Sequence, residues 1–431
     1  MIASAPRDSD TLLFVNARQV VTCAGQARAR RGAEMGDAGI REHHAVLVRE
    51  GRIEALGDER DLIAAHRGAA IIDCRGGVLT PGFVDSHTHA LFGRPRYEEQ
   101  ELRAAGVGYM EIARRGGGIH ASVRDLRTRS EDELVELAIP RLRRLASTGV
   151  TTVEVKSGYG LTLDDEVKTL RAIRRLGEQL PLRIVPTFLG AHEIPLEHRQ
   201  SAARRDEYLR LVINEMIPRV ARESLARFVD VFCEPGVYSV EESRRILSAA
   251  RNNGLLLKLH ADELEAGGGA ELAGEIGATS ADHLAAISER GIASLAQGAT
   301  VATLLPATMV FLGKTKQAPA RALIAAGVPV ALATDFNPGT SPTPNFPLLL
   351  TLGVSQLHLS AAEAIVASTV NGAAALALAG ETGQIAPGFS ADLALHAVDD
   401  VRELPYWFGD HRCVGSWVRG KACHPYDLPV S

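Results

Sequence analysis

Between residues 81 and 375, eight short apolar runs alternate with long amphipathic stretches, a pattern that predicts a (β/α)8 TIM-like barrel. Strand patterns at the two chain ends predict a small β-sandwich domain built from residues 1–80 together with 383–431, leaving 81–382 to the barrel. A third observation points to the chemistry. The segment Pro81-Gly82-Phe83-Val84-Asp85-Ser86-His87-Thr88-His89 starts as an apolar strand and ends in two histidines one residue apart. Side chains two apart on a strand point the same way, so His87 and His89 can reach one metal ion.

The elements follow in order. Leu12–Val15, Val46–Val48 and Ile53–Leu56 alternate as strands. Residues 24–44 are polar and rich in Gly and Arg, which predicts a loop or insertion to which no role is assigned. The barrel strands are expected at Phe83–Asp85, Thr152–Val155, Ile184–Phe188, Val229–Phe232, Leu255–Leu259, Thr279–Asp282, Thr300–Leu304 and Pro329–Ala333. Helical periodicity fills 131–147, 163–179, 204–224, 239–253, 266–276, 287–297 and 316–326, and a further helix covers 361–379. Ala391–Leu395 and Val414–Val418 return to strands.

Composition narrows the class. The chain has 431 residues, 46% of them hydrophobic, enough for a large core. A net charge of −5 argues against a nucleic-acid partner. Arg141, Arg143 and Arg144, like Arg171, Arg174 and Arg175, fall at helical spacing and read as solvated helix faces. Five cysteines with no C-x-x-C fit a reducing compartment rather than a disulfide framework. With no apolar run of spanning length and no leader pattern, a cytoplasmic enzyme without a membrane partner is expected.

Barrel enzymes carry their chemistry at the C-terminal ends of the strands. His87, His89, His192, His260, His283 and Asp335 all fall there. His87, His89 and His260 offer neutral imidazoles and Asp335 a carboxylate, a donor set that suits Zn²⁺ and tolerates Fe²⁺. An ion there would lower the pKa of bound water from about 15.7 toward about 7. Glu263 lies three residues beyond His260 and could reach the same mouth, while His283 is free to act as an acid or to stabilise an oxyanion. Arg96, seven residues past His89, could clamp a carboxylate. Glycines on both sides of Tyr159 let its loop approach closely, and Asn337–Pro342 offers an amide, a hydroxyl and backbone donors to a small polar substrate.

Several segments are recognisable as a set: Pro81–His89, Arg114–Ile119 (R-R-G-G-G-I), Glu154–Leu161 (E-V-K-S-G-Y-G-L), Phe188–His192 (F-L-G-A-H), Lys258–Glu263 (K-L-H-A-D-E), Ser280–Leu284 (S-A-D-H-L) and Ala333–Pro342 (A-T-D-F-N-P-G-T-S-P). With them the chain resembles the amidohydrolase superfamily and, within it, the imidazolonepropionase family. The resemblance runs over about residues 45–420 in the right order. H-T-H alone marks only the superfamily; K-S-G-Y-G-L with A-T-D-x-N-P-G is much narrower.

The resemblance implies hydrolysis of the cyclic amide of 4-imidazolone-5-propanoate to N-formimidoyl-L-glutamate, the third step of L-histidine degradation. It implies one Zn or Fe ion per chain, held by His87, His89, His260 and Asp335. It places Arg96, Tyr159 and His192 on the substrate and Glu263 near the ring. Asn337, Gly339 and Thr340 would meet the product or the propionate end. The mechanism we expect has His283 steady the oxyanion with the metal, while Asp335, with Glu263, carries the proton to the leaving nitrogen. A homodimer is common among such relatives. His120 departs from the small or apolar residue expected after G-G-G-I and reads as solvent-facing. The alternatives are another mononuclear amidohydrolase such as a cytosine or guanine deaminase, a binuclear enzyme with Lys156 as the metal bridge, and a barrel without catalysis.

Overall fold

The computed structural model describes residues 11–107, 111–112 and 116–424. Arg114, the first residue of one of the recognised segments, lies outside the described residues.

The N-terminal strands are β1 (Thr11–Val15), β2 (Gln19–Val21), β3 (Ile40–Arg41), β4 (His44–Arg49), β5 (Arg52–Asp58), β6 (Ala70–Asp73) and β7 (Val78–Pro81). Eight strands of the second unit follow: β8 (Phe83–Asp85), β9 (Val150–Lys156), β10 (Arg183–Ala191), β11 (Phe228–Cys233), β12 (Leu256–Ala261), β13 (Ser280–His283), β14 (Val301–Leu304) and β15 (Val330–Leu332). The chain ends in β16 (Leu393–His396), β17 (Cys413–Val418) and β18 (Lys421–His424).

Strands β8 to β15 form one parallel sheet in sequential order. The sheet returns on itself through a parallel bridge between Thr88 and Phe336. Asp335 N donates to His87 O at 3.0 Å and His89 N donates to Phe336 O at 2.9 Å. Each of the eight expected runs is a strand of this barrel. They are short and apolar because helices cover the outside and side chains fill the inside, leaving no face for water.

Two further sheets flank the barrel. One has the order β5-β4-β1-β6; the other has the order β18-β17-β16-β7-β2-β3 and so joins strands from both chain ends. Phe14, Val46, Leu79, Leu393, Leu395 and Trp417 pack into the core between them. The ring of Phe14 meets Trp417 edge-on at 4.9 Å.

Several expectations need correction. The helix expected over 204–224 is broken into Ala202–Leu211, a π-helical turn at Val212–Met216, and Ile217–Arg222. Pro218 lacks the N–H that a continuous helix needs there. The 24–44 stretch is anchored to the barrel: Arg30 N donates to Asn371 Oδ1 at 2.7 Å, and Asn371 Nδ2 donates to Val330 O of β15 at 2.8 Å. Arg141 is not a solvated arginine. Its guanidinium lies 3.6 Å over the Phe92 ring and donates to Phe92 O at 2.5 Å and Gly93 O at 2.7 Å, closing the loop after β8. His120 is buried beside Val123 and Leu126 on the inner side of the helix Ile119–Arg127. Helical periodicity places residues three and four apart on that one face.

Candidate metal centre and substrate pocket

The donors converge because of the strand ends they follow. β8 continues in extended form past Asp85, so His87 and His89 point into the barrel mouth, each tied to the 335–336 backbone opposite. His260 comes from β12, His283 ends β13, and Asp335 lies three residues beyond β15. His283 (φ +77°) and Asp335 (φ +52°) both adopt left-handed backbone, which costs non-glycine residues about 1–3 kcal/mol.

The distances are those of a ligand cage. His260 Nε2 stands 3.3 Å from His89 Nε2. Asp335 Oδ1 stands 3.6 Å from both His87 Nε2 and His89 Nε2. Two donors about 2.0–2.1 Å from one tetrahedral ion would be roughly 3.3–3.4 Å apart. His87, His89 and Asp335 can form one metal-holding group, His87, His260 and His283 a second, and His89, His192 and His260 a third. His87 Nε2 is buried without a hydrogen-bond partner. Such an orphan in a native core calls for an explanation, and a metal ion supplies one. Burial, reinforced by neighbouring cations and imidazoles, holds His87 and His89 well below the usual histidine range, in the neutral form a metal requires. The residues therefore fit a divalent ion.

The remaining expected residues surround this cage. The His192 ring stacks on His89 at 4.9 Å with 17° between the planes, and its Nδ1 faces Gly158 O at 3.0 Å. Burial lowers its pKa to about 3. Tyr159 lies 5.9 Å from His89 and 5.4 Å from His192, centroid to centroid. Gly158 (φ +109°) permits that loop, and a Cβ there would press to 2.9 Å from Leu189 O. Glu263 Oε2 stands 3.6 Å from His283 Nδ1. Burial, with Asp335 and Glu234 nearby, drives the Glu263 carboxyl well above the usual range. Asn337 is spent on its own turn: Oδ1 accepts from Gly339 N at 2.8 Å and Thr340 N at 2.7 Å, and Nδ2 donates to Asp335 O at 2.7 Å. Arg96 lies against Gly339, and Glu99 stands 3.5 Å from its Nε.

Other contacts are invisible to a reading of strand ends. Thr308 Oγ1 donates to Asp335 Oδ2 at 2.7 Å. Glu166 accepts from Gly158, Gly160 and Leu161 N and holds the Tyr159 loop. Glu234 accepts from Glu263, Leu264 and Glu265 N and does the same for Glu263. Lys156 does not turn to the metal donors. Its Nζ lies 2.7 Å from Asp230 and 2.8 Å from Glu154, so it is no metal bridge.

An amidohydrolase family model matches residues 78–423, and the chain belongs to the amidohydrolase family. Within that family it groups with imidazolonepropionases. It is 47% identical to the imidazolonepropionase of Geobacillus kaustophilus over 92% of this chain and 94% of that protein. It is also 47% identical to that of Symbiobacterium thermophilum, over 92% and 93%. Among solved structures, a zinc-bound adenosine deaminase from Xanthomonas campestris shares the fold. Its TM-score is 0.67 at 19% identity, covering 97% of this chain and 93% of that one.

Proposed function

We propose that this chain hydrolyses the ring amide of 4-imidazolone-5-propanoate to N-formimidoyl-L-glutamate, with one zinc or iron ion held by His87, His89, His260 and Asp335. The observation that carries the reading is the convergence of those four donors in the mouth of a barrel whose curated relatives, 47% identical, are imidazolonepropionases.

Bound there, the ion would supply Lewis acidity and a water of lowered pKa. The chain's own residues do the rest. Arg96 grips the propionate, and its place over Gly339 sets how deep the acid end sits. Tyr159 and His192 form the wall that the ring lies against. His283 Nε2, buried and without a hydrogen-bond partner, is placed to steady the oxygen that gains charge. Asp335 accepts the proton of the attacking water and returns it to the leaving ring nitrogen. Its Oδ1 faces the other metal donors, and its second oxygen is oriented by the hydrogen bond from Thr308. Glu263, its carboxyl pushed well above the usual range by burial, faces the ring as a proton carrier. Asn337 and Thr340 shape the turn that carries Gly339.

The division into a barrel over 81–382 and a β unit from 1–80 with 383–431 is part of this proposal, supported by the sheet that joins both chain ends. So are a homodimer and a cytoplasmic location, supported by the family resemblance. No helix among the described residues is long and apolar enough to cross a membrane.

The test is turnover of freshly generated imidazolone-5-propanoate, followed by ultraviolet absorbance, with metal-replete and chelator-treated protein. Metal-dependent loss of absorbance with formimidoylglutamate appearing is expected. Deamination of guanine or cytosine instead would overturn the substrate.

A further inference from the structure

Beneath the metal donors, Glu154, Lys156, Asp230, Lys258 and Asp282 form one cluster of charged side chains that solvent does not reach. They come from β9, β11, β12 and β13 and all face inward. Burying charge is expensive, and an ion cluster of this kind is often no more stable than apolar residues of the same volume. Its arrangement gives a reason for it beyond stability.

Two of the three carboxylates end on metal donors. Asp282 Oδ2 stands 2.6 Å from His87 Nδ1. Asp230 Oδ2 stands 3.0 Å from His260 Nδ1, while its Oδ1 accepts from His260 N at 3.1 Å. The third, Glu154, touches neither histidine. Its oxygens lie 2.8 Å from Lys156 Nζ and 3.2 Å from Lys258 Nζ. Lys156 carries on to Asp230 at 2.7 Å, and Lys258 stands 3.6 Å from Asp282. Lys258 also donates to Ser86 O at 2.8 Å, one residue before His87. Glu154 is thus the centre of a frame with two arms, each running through a lysine and an aspartate to one histidine, and the arms are cross-linked where Lys156 also stands 3.8 Å from Asp282.

We propose that Asp282 and Asp230, braced by Lys258 and Lys156 across Glu154, are positioning residues of the metal centre. They fix the Nδ1 side of His87 and His260 so that Nε2 is presented to the ion. The inference rests on the metal reading above. A carboxylate behind a ligand histidine sets its tautomer and ring orientation, and its loss weakens metal binding by about 10–100-fold. His89 lacks such support: among the described residues no carboxylate pairs with its Nδ1.

The test is zinc affinity, measured by competition with a chromophoric chelator, for the wild type, Asp282→Asn and Asp230→Asn. Each variant is expected to bind about 10–100-fold more weakly. Its cobalt-loaded visible spectrum should shift as a histidine leaves its orientation. Lys258→Met, which removes the brace between Glu154 and Asp282, should weaken binding as well. A lower melting temperature with unchanged zinc affinity and cobalt spectrum would make the frame purely structural and overturn the proposal. If the variants fail to fold, cobalt-loaded wild type decides. Slow solvent exchange of two ligand-histidine Nδ1 protons is expected, and fast exchange of all of them overturns the proposal. A wild type that takes up no zinc, iron or cobalt overturns the metal reading as well. Tight wild-type binding with unaffected variants overturns this inference alone.

Discussion

Gly339 lies directly under the guanidinium of Arg96: a Cβ built on it would stand 1.2 Å from Nη2. The overlap falls on the end of the arginine side chain, so a side chain at 339 is accommodated only by moving Arg96. Gly339→Ala should displace Arg96 and raise KM by about tenfold or more while kcat changes little, the signature of lost uniform binding. Steady-state kinetics check it. An unchanged KM would mean that Arg96 does not hold the substrate.

His283 and Arg96 should separate in kinetics. His283→Ala removes a group acting on developing charge and should cut kcat by about 10²–10³-fold. Arg96→Ala should act mainly on KM. Equal, small effects at the two positions would refute both roles.

Metal removal should cost stability as well as activity. An ion present at about a hundred times its Kd contributes about 2.7 kcal/mol to the folded state. Dialysis against a chelator should lower the melting temperature and abolish turnover. Adding back zinc or iron singly, with both readouts followed, identifies the ion. Full activity after verified removal would contradict the donor cage.

His396 predicts an acid-sensitive β unit. It is buried in β16, 3.1 Å from Thr80 Oγ1, and burial takes its pKa down to about 3. Between that value and the ordinary 6.5, the unfolded chain binds a proton that the folded chain refuses. Stability from this residue is therefore complete above pH 6.5, falls as pH drops through that window, and levels off near 3. The slope is at most about 1.4 kcal/mol per pH unit. Urea unfolding of wild type and His396→Gln across pH 7 to 4 checks it: the variant should lose less. Parallel curves would refute the assignment.

The eight barrel strands are legible because a strand covered on both faces has to be apolar, and eight such runs recur. The donors are legible because each lies where a run ends. The helix Phe346–Leu357 escapes the same reading: it is buried on nearly every side, so its residues show no polar face to give a period. Asp230, Lys258 and Asp282 are visible as polar breaks within apolar runs, but their meaning lies in pairings across the barrel that spacing along the chain does not carry. Lys156 shows the difference. By position alone it could bridge two metals; in three dimensions Glu154 and Asp230 claim its charge. Arg141 and His120 depart from the sequence expectation for a related reason, since helical spacing shows which residues share a face but not whether that face meets water.

The sheet that joins the chain ends bears on how the protein is made. β7 lies between β2 on one side and β16 on the other. β2 leaves the ribosome before β7, but β16 follows only after the whole barrel has been translated. The β7 edge therefore stays open for tens of seconds at ordinary elongation rates. Until Leu393 reaches Pro81, that edge can pair with a neighbouring nascent chain, and a chaperone that shields it during synthesis would raise the yield of native protein.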